Sequence, residues 1–257
     1  QYQLWGTDPR CLAEGARISE DAGADAVDLN CGCPVPKVVA SGSGVALMRN
    51  PGLIGQCLAA MRRACRVPLS AKIRLGPNPW IRNGAETARI VEASGADFLT
   101  VHGRYGGEAY NVPVCAKGIA EVVAAVKIPV IANGDVSSGE TASRLAEATG
   151  ASGVMVGRAC LGDPWVFARI RAELLGEAWR PPSAEERGRA LLDHFQGLAE
   201  FLGETHATRH IRKLAGFFSR GLTGARAFRE AVNHCRTAEA FVALVREHFL
   251  PRGGEKA

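Results

Sequence analysis

From the first residue to about residue 170 the chain repeats one pattern: a short apolar stretch, a loop, then a segment of amphipathic helical spacing. The apolar stretches read YQLW, AVDLN, PLSAKIRL, DFLTVHG, IPVIANG and SGVMVGR. Their lengths predict six strands. Helices are predicted between them, over about 9–22, 51–65, 84–94, 117–126 and 138–149. Gly23 and Gly95 in GAD and Gly150 in GAS sit where a helix C-terminus needs a left-handed residue. Ser137 with Glu140 has the spacing of a capping box.

Near-continuous apolar strands alternating with helices predict a parallel sheet covered on both faces. A doubly wound sheet and a (β/α)8 barrel share that pattern, and the polar residues choose between them. The strands end on Asn30 and Cys33, Lys72 and Arg74, His102 and Arg104, Asn133 and Asp135, and Gly157 and Arg158. A barrel gathers all its strand C-termini at one mouth, whereas a doubly wound sheet uses mainly its switch point. The expected fold is therefore α/β: a (β/α)8 TIM barrel over 1–175 with six of eight strands visible. The opening QYQLWG reads as mid-strand, which predicts that the chain starts inside a longer protein, truncated at its N-terminus.

After residue 180 the pattern changes. RPPSAEE reads as a linker that caps a new helix, with Ser183 as N-cap and Glu186 three residues on. A small all-helical domain is expected over 183–250, and 251–257 is expected to be disordered.

At 257 residues, 47% apolar and 22% charged, the chain can bury a sizeable core. No apolar run reaches the ~18 residues of a membrane span. Without an export signal, the eight scattered cysteines read as reduced thiols of a cytoplasmic protein. The net charge of +5 is mild, but its distribution is not. Between 205 and 236 stand Arg209, Arg212, Lys213, Arg220, Arg226, Arg229 and Arg236 against Glu230 alone. Such a cluster is either a solvated face or a phosphate-binding one.

IANGD and VMVGRACLGDPW put glycine-rich turns after strands that would be seventh and eighth in a full barrel, where phosphate is commonly bound. Gly134 and Gly157 let backbone approach, and Arg158 can pair with a phosphate. Ordinary tight turns have the same spacing. Lys72 on a buried strand needs an anion or an electron-rich group. With His102 and a phosphate site it suggests flavin mononucleotide (FMN). Cys33, between Gly32 and Pro34, overhangs the mouth. Cys31 and Cys33 as zinc ligands would need a second Cys or His pair, and none has ligand spacing. A packing role suits Cys31. With no base at a nucleophile's spacing, Cys33 reads as a proton donor.

DLNCGCPVPKVVASGSGVALMRNP, AKIRLG, VHGR, VIANGDV and VMVGRACLGDPWVF resemble, in order and spacing, the motif series of the tRNA-dihydrouridine synthases, most closely the bacterial B type. ATRHIRKLAGFFSRGLTGA extends the resemblance into the helical tail. The resemblance implies an FMN enzyme that reduces a uridine of the tRNA D-loop to 5,6-dihydrouridine, with NADPH as reductant. It implies hydride passing from flavin N5 to uracil C6 and a proton from Cys33 to C5. It also implies flavin contacts at Gln3, Lys72, His102, Asn133, Gly134, Asp135, Gly157 and Arg158. Asn30 falls where the family lines the uracil pocket. Arg74, Arg104, Arg209, Arg212 and Lys213 are the expected tRNA contacts, and Gly42, Ser43 and Gly44 read as a flexible loop that tracks the RNA backbone. No metal, no membrane partner and a monomer are expected.

The family's opening strand with its APM-like segment is missing. After VHGR, Tyr105 and Gly106 stand where Thr-Arg is usual, with Cys115 near the place of a Trp, and Pro77 stands where another Trp is common. Two further readings fit the residues: an FMN barrel that oxidises or reduces a small molecule, and a truncated, non-catalytic remnant.

Overall fold

The computed structural model describes residues 1–250; the expectation for 251–257 lies outside the described residues. Six strands form one sheet: β1 (Tyr2–Leu4), β2 (Val27–Asn30), β3 (Leu69–Arg74), β4 (Phe98–His102), β5 (Val130–Asn133) and β6 (Gly153–Met155). Every strand pairs in parallel with the next one in sequence. The helices α1 (Pro9–Asp21), α3 (Pro51–Ala64), α4 (Gly84–Ala93), α5 (Ala116–Val123) and α6 (Gly139–Thr149) pack on one another in that same order. A doubly wound sheet reverses its strand order at the switch point. Unbroken order in both layers is the wall of a (β/α) barrel.

The strands depart from the expected run of apolar residues. β2 and β3 alternate strictly: Val27, Leu29, Leu69, Ala71 and Ile73 are fully buried against the helices, while Asp28, Asn30, Ser70, Lys72 and Arg74 occupy the other face. The helix-side face is therefore the apolar core and the inner face is polar.

Local chemistry sets the helix starts. Asp8 accepts the amide N–H groups of Arg10 and Cys11 ahead of Pro9, and Asn50 accepts that of Leu53 ahead of Pro51. The capping box of α6 lies one residue later than expected. Ser138 and Thr141 form it, and Glu140 instead faces Arg144 at 3.4 Å on the next turn. Ser183 and Glu186 do form the box expected of them. Gly23, Gly95 and Gly150 have the positive φ read from their positions.

The segment after Cys33 is also different from its expectation. It forms a short helix, α2 (Pro36–Ala40), and a 3-10 turn (Gly44–Arg49), with Ser43 and Gly44 buried. Apolar Val45, Leu47 and Met48 anchor it to the core, so it is not an open loop.

The chain divides into two compact units, Gln1–Gly157 and Arg158–Ala257. Helix α7 (Val166–Leu175), read from the sequence with the barrel, is grouped with the second unit. The other helices of that unit are α8 (Ala184–Leu202), α9 (Glu204–Phe218), α10 (Ala225–His234) and α11 (Ala238–Phe249). They close their own core around Leu191, Phe195, Ile211, Phe228, Phe241 and Val245. Among the described residues no helix is long and apolar enough to cross a membrane.

Phe241 is fully buried with its ring 4.7 Å from that of Phe195. Phe241→Ala should therefore cost about 3–5 kcal/mol of the helical unit's stability. Urea unfolding followed by circular dichroism measures this; a loss below about 1 kcal/mol would mean that the core is not closed here.

Candidate active site

The inner face of the sheet is built in register layers. Gln3, Asp28 and Ser70 are paired across β1, β2 and β3. Asn30, Lys72 and Thr100 make the next layer, and Arg74, His102, Asn133 and Met155 the one nearest the strand C-termini. Parallel pairing thus brings to one face groups that lie far apart in sequence.

Asn133 organises the upper layer. Its Nδ2 donates to the Met155 carbonyl at 3.0 Å, which fixes the orientation of the amide. Its Oδ1 then accepts from Lys72 Nζ at 3.0 Å and faces His102 Nδ1 at 2.9 Å. An amide oxygen only accepts, so Nδ1 carries the proton and Nε2 of the neutral imidazole is bare. Nε2 is buried with no hydrogen-bond partner.

Positive charge is in excess here. Burial pushes the Lys72 ammonium down to about 8, with Arg74 adding to the shift. Burial also lowers Arg74, whose Nε donates to the Gly32 carbonyl at 2.7 Å and Nη1 to that of Tyr105 at 2.9 Å. Neither cation has a carboxylate within ion-pair distance among the described residues. A half-buried ammonium without an ion-pair contact, a guanidinium and an unused imidazole lone pair suit a ligand that is anionic and rich in polar ring atoms, as a flavin mononucleotide is.

Asn30 holds the cysteine loop. Its Oδ1 accepts the amide N–H of Gly32 at 3.1 Å and of Cys33 at 2.9 Å. Its Nδ2 donates to Gln3 Oε1 at 2.8 Å, Gln3 Nε2 donates to Asp28 Oδ2 at 2.7 Å, and Ser70 Oγ donates to Asp28 Oδ1 at 2.5 Å. Burial raises the Asp28 carboxyl, while the bonds from Ser70 and Gln3 and the charge of Lys72 oppose that rise. Gly44 closes the loop from the other side. Its φ is +62°, and a Cβ there would lie 2.6 Å from the Cys33 carbonyl oxygen. Cys33 is half-buried, whereas Cys31 is fully buried and its thiol is pushed well up by that burial.

Arg104 has a different place from the one expected of a substrate contact. It is 1% exposed, ion-paired with Asp135, and donates to the carbonyls of Val112 at 2.6 Å and Tyr110 at 3.0 Å. It therefore pins the segment after β4 to the turn after β5. That turn needs Gly134 at φ +146°, since a Cβ would lie 2.6 Å from Val114. A Cβ at Gly157 would lie 3.9 Å from Asn133 Nδ2. Arg158 begins a 3-10 turn, Arg158–Cys160, in the second unit.

In that second unit the apolar face of α9 is Ala207, Ile211, Ala215 and Phe218. Arg209 and Lys213 are exposed four residues apart on the helix, and Arg220 is exposed in the turn just past its end. Gly216 lies between Lys213 and Arg220 and leaves room for the Arg229 side chain, 3.4 Å from where a Cβ would be. Arg212, grouped with these in sequence, is half-buried and donates to the Cys235 carbonyl, so it ties α9 to the end of α10.

Asp28 and Ser70 belong to the site but are not among the residues expected from the sequence. The alternation in VDLN and LSAKIR is the signal that could have found them.

The family model described as Dihydrouridine synthase (Dus) matches residues 1–252. A tRNA-dihydrouridine synthase B of Xanthomonas axonopodis pv. citri is 40% identical over 248 residues, covering 96% of this chain and 75% of that protein. A probable tRNA-dihydrouridine synthase of Rickettsia bellii is 40% identical over 232 residues, covering 90% and 71%. Among solved structures, a nitroalkane oxidase from Streptomyces ansochromogenes matches at 22% identity and a TM-score of 0.36, over 57% of this chain and 37% of its own.

Burial, with the charges of Arg74 and Lys72, holds His102 down to about 4 against an ordinary 6.5. An unfolded chain takes up this proton below about pH 6.5, while the folded one resists until about 4, so His102 costs stability as pH falls through that window. Titration of the His102 ring protons by NMR should give a midpoint near 4, and His102→Gln should unfold less readily in acid. A midpoint near 6.5 would contradict the buried neutral imidazole.

Proposed function

This chain belongs to the dihydrouridine synthase family, and from that premise we propose that it reduces a uridine of tRNA to 5,6-dihydrouridine at the inner mouth of its sheet. The observation that carries the proposal is Cys33, a half-buried thiol fixed from both sides by Asn30 and Gly44, on a loop that Arg74 of the upper layer also holds.

FMN, kept reduced by NADPH, would supply the hydride for such a reduction. Lys72, His102 and the turn from Asn133 to Asp135 would hold it, with Gln3 and Gly157 alongside. Lys72 is suited to a ring carbonyl or an anion, because a partner of that kind relieves the cost of burying its charge.

Cys33 supplies the proton to C5 as C6 takes hydride. Solvent would return a proton to the sulfur, and Arg74, whose Nε is anchored on the Gly32 carbonyl, would help to hold the loop that carries it. Asn30 uses its whole amide on the loop and on Gln3. Its role is to set the position of Cys33, with the uracil passing against its exposed edge. Cys31 sits two residues away with no access to solvent and takes no part.

The basic residues of α9 and its surroundings support RNA rather than a small molecule as substrate. Arg209 and Lys213 on α9, Arg220 just past its end and Arg229 on α10 are exposed cations suited to phosphates. Arg104 and Arg212 would act only indirectly, through the loops they tie down.

Cys33→Ala should abolish dihydrouridine formation in tRNA while the protein still binds FMN and shows its yellow absorbance. Cys31→Ala should keep turnover and lose some stability. Equal loss of turnover in both would remove the assignment of Cys33. Replacing Arg209 and Lys213 together by Ala should raise KM for tRNA and lower the salt dependence of binding by about one unit of slope for each phosphate no longer engaged. FMN affinity should not change. An unaltered KM and slope would move the RNA-binding face elsewhere.

A further inference from the structure

The loop between β3 and α4 carries an indole that the mechanism above does not use. Trp80 is 90% exposed, with Ile81 and Arg82 exposed beside it. A side chain of this size gains by burial, and here it has almost none.

Asn78 Oδ1 accepts the amide N–H groups of both Trp80 and Ile81 at 2.9 Å, and Asn78 and Ile81 form a bridge across the turn. Behind the tip, Gly76 packs against the Ile81 carbonyl, and its own carbonyl accepts Gly106 N–H at 2.9 Å. Asn83 Nδ2 donates to the Met48 carbonyl at 2.7 Å.

These ties lead to the cysteine. Met48 and Val45 belong to the 3-10 turn that starts at Gly44, and Val45 N–H donates to the Cys33 carbonyl at 3.0 Å. Gly106 lies against Val45 and Pro77, and Arg74 joins the Gly32 carbonyl to that of Tyr105. The tip bearing Trp80 is thus braced on the same rim that positions Cys33. Arg82 stands over the Tyr105 ring at 5.8 Å and donates to the Pro79 carbonyl at 3.2 Å, so a cation is held next to the indole.

We propose that Trp80 is a stacking platform for an unpaired nucleobase next to the uridine that enters the site, with Arg82 meeting the phosphate between the two. The inference rests on the functional reading above and adds to it the residue that positions the flanking nucleotide. An aromatic face beside a cation is what single-stranded RNA requires: every base offers a π-face, and each is followed by a phosphate. The rigidity of the loop lowers the cost of ordering it on contact.

Kinetics on tRNA with Trp80→Ala and Trp80→Phe provide the test, with FMN reduction by NADPH in the absence of RNA as a second readout. Trp80→Ala should lower kcat/KM for tRNA roughly ten- to hundred-fold. Trp80→Phe should recover most of it, and FMN reduction should be unchanged in both. Indole fluorescence should be quenched by a short unpaired oligoribonucleotide in the wild type and much less in Trp80→Phe. Turnover of tRNA by Trp80→Ala at the wild-type rate would overturn the proposal. So would equal loss in both variants with quenching unchanged, the result expected if the indole meets a protein partner or only shapes the loop. Failure of the wild-type protein to make any dihydrouridine would remove the functional reading instead, and the quenching measurement would still decide whether Trp80 stacks on RNA bases.

Discussion

Two cations with no carboxylate in ion-pair contact among the described residues govern the inner face of this sheet: Lys72, half-buried, and Arg74, buried. They lie one pleat apart on β3 and repel each other, and burial weakens the charged form of both. Backbone carbonyls and the oxygen of Asn133 accept their hydrogen bonds, and the charge of Asp28 offsets part of the shift at Lys72. Hydrogen bonds solvate the charges but do not cancel them, which favours negative potential at this face. His102 is held neutral by burial first and then by the charges of Arg74 and Lys72.

The cysteine loop answers a different requirement. In the proposed reaction Cys33 is a proton donor, and such a donor has to be within hydrogen-bond reach of its target, which a loop does not guarantee by itself. Here the loop is drawn down by Asn30 and blocked from above by Gly44, and the chain Gln3–Asp28–Ser70 ties Asn30 across three strands. The position of Cys33 is thereby tied to the sheet. Arg74 links the two systems, because one guanidinium serves both the cationic layer and the Gly32 carbonyl.

Much of this is legible in the chain. Strand and helix positions follow from apolar spacing, and the polar residues ending the strands point to a shared rim. The face of each inner residue is harder to read. VDLN and LSAKIR pass for members of the more apolar set, although their alternation separates a helix-side from an inner face, and this hides Asp28 and Ser70. The segment after Cys33 misleads because Gly42, Ser43 and Gly44 have loop composition; Val45, Leu47 and Met48 anchor it instead. Arg104 and Arg212 show another limit. Charge alone cannot tell a guanidinium open to ligand from one spent on backbone carbonyls, since that depends on partners remote in sequence.

The helical unit closes a core of its own around Phe195, Phe228 and Phe241. Its exposed arginines and lysine can therefore be exchanged, added or lost without disturbing the packing that supports them. The charge pattern of that surface is thus free to vary independently of the aromatic core beneath it.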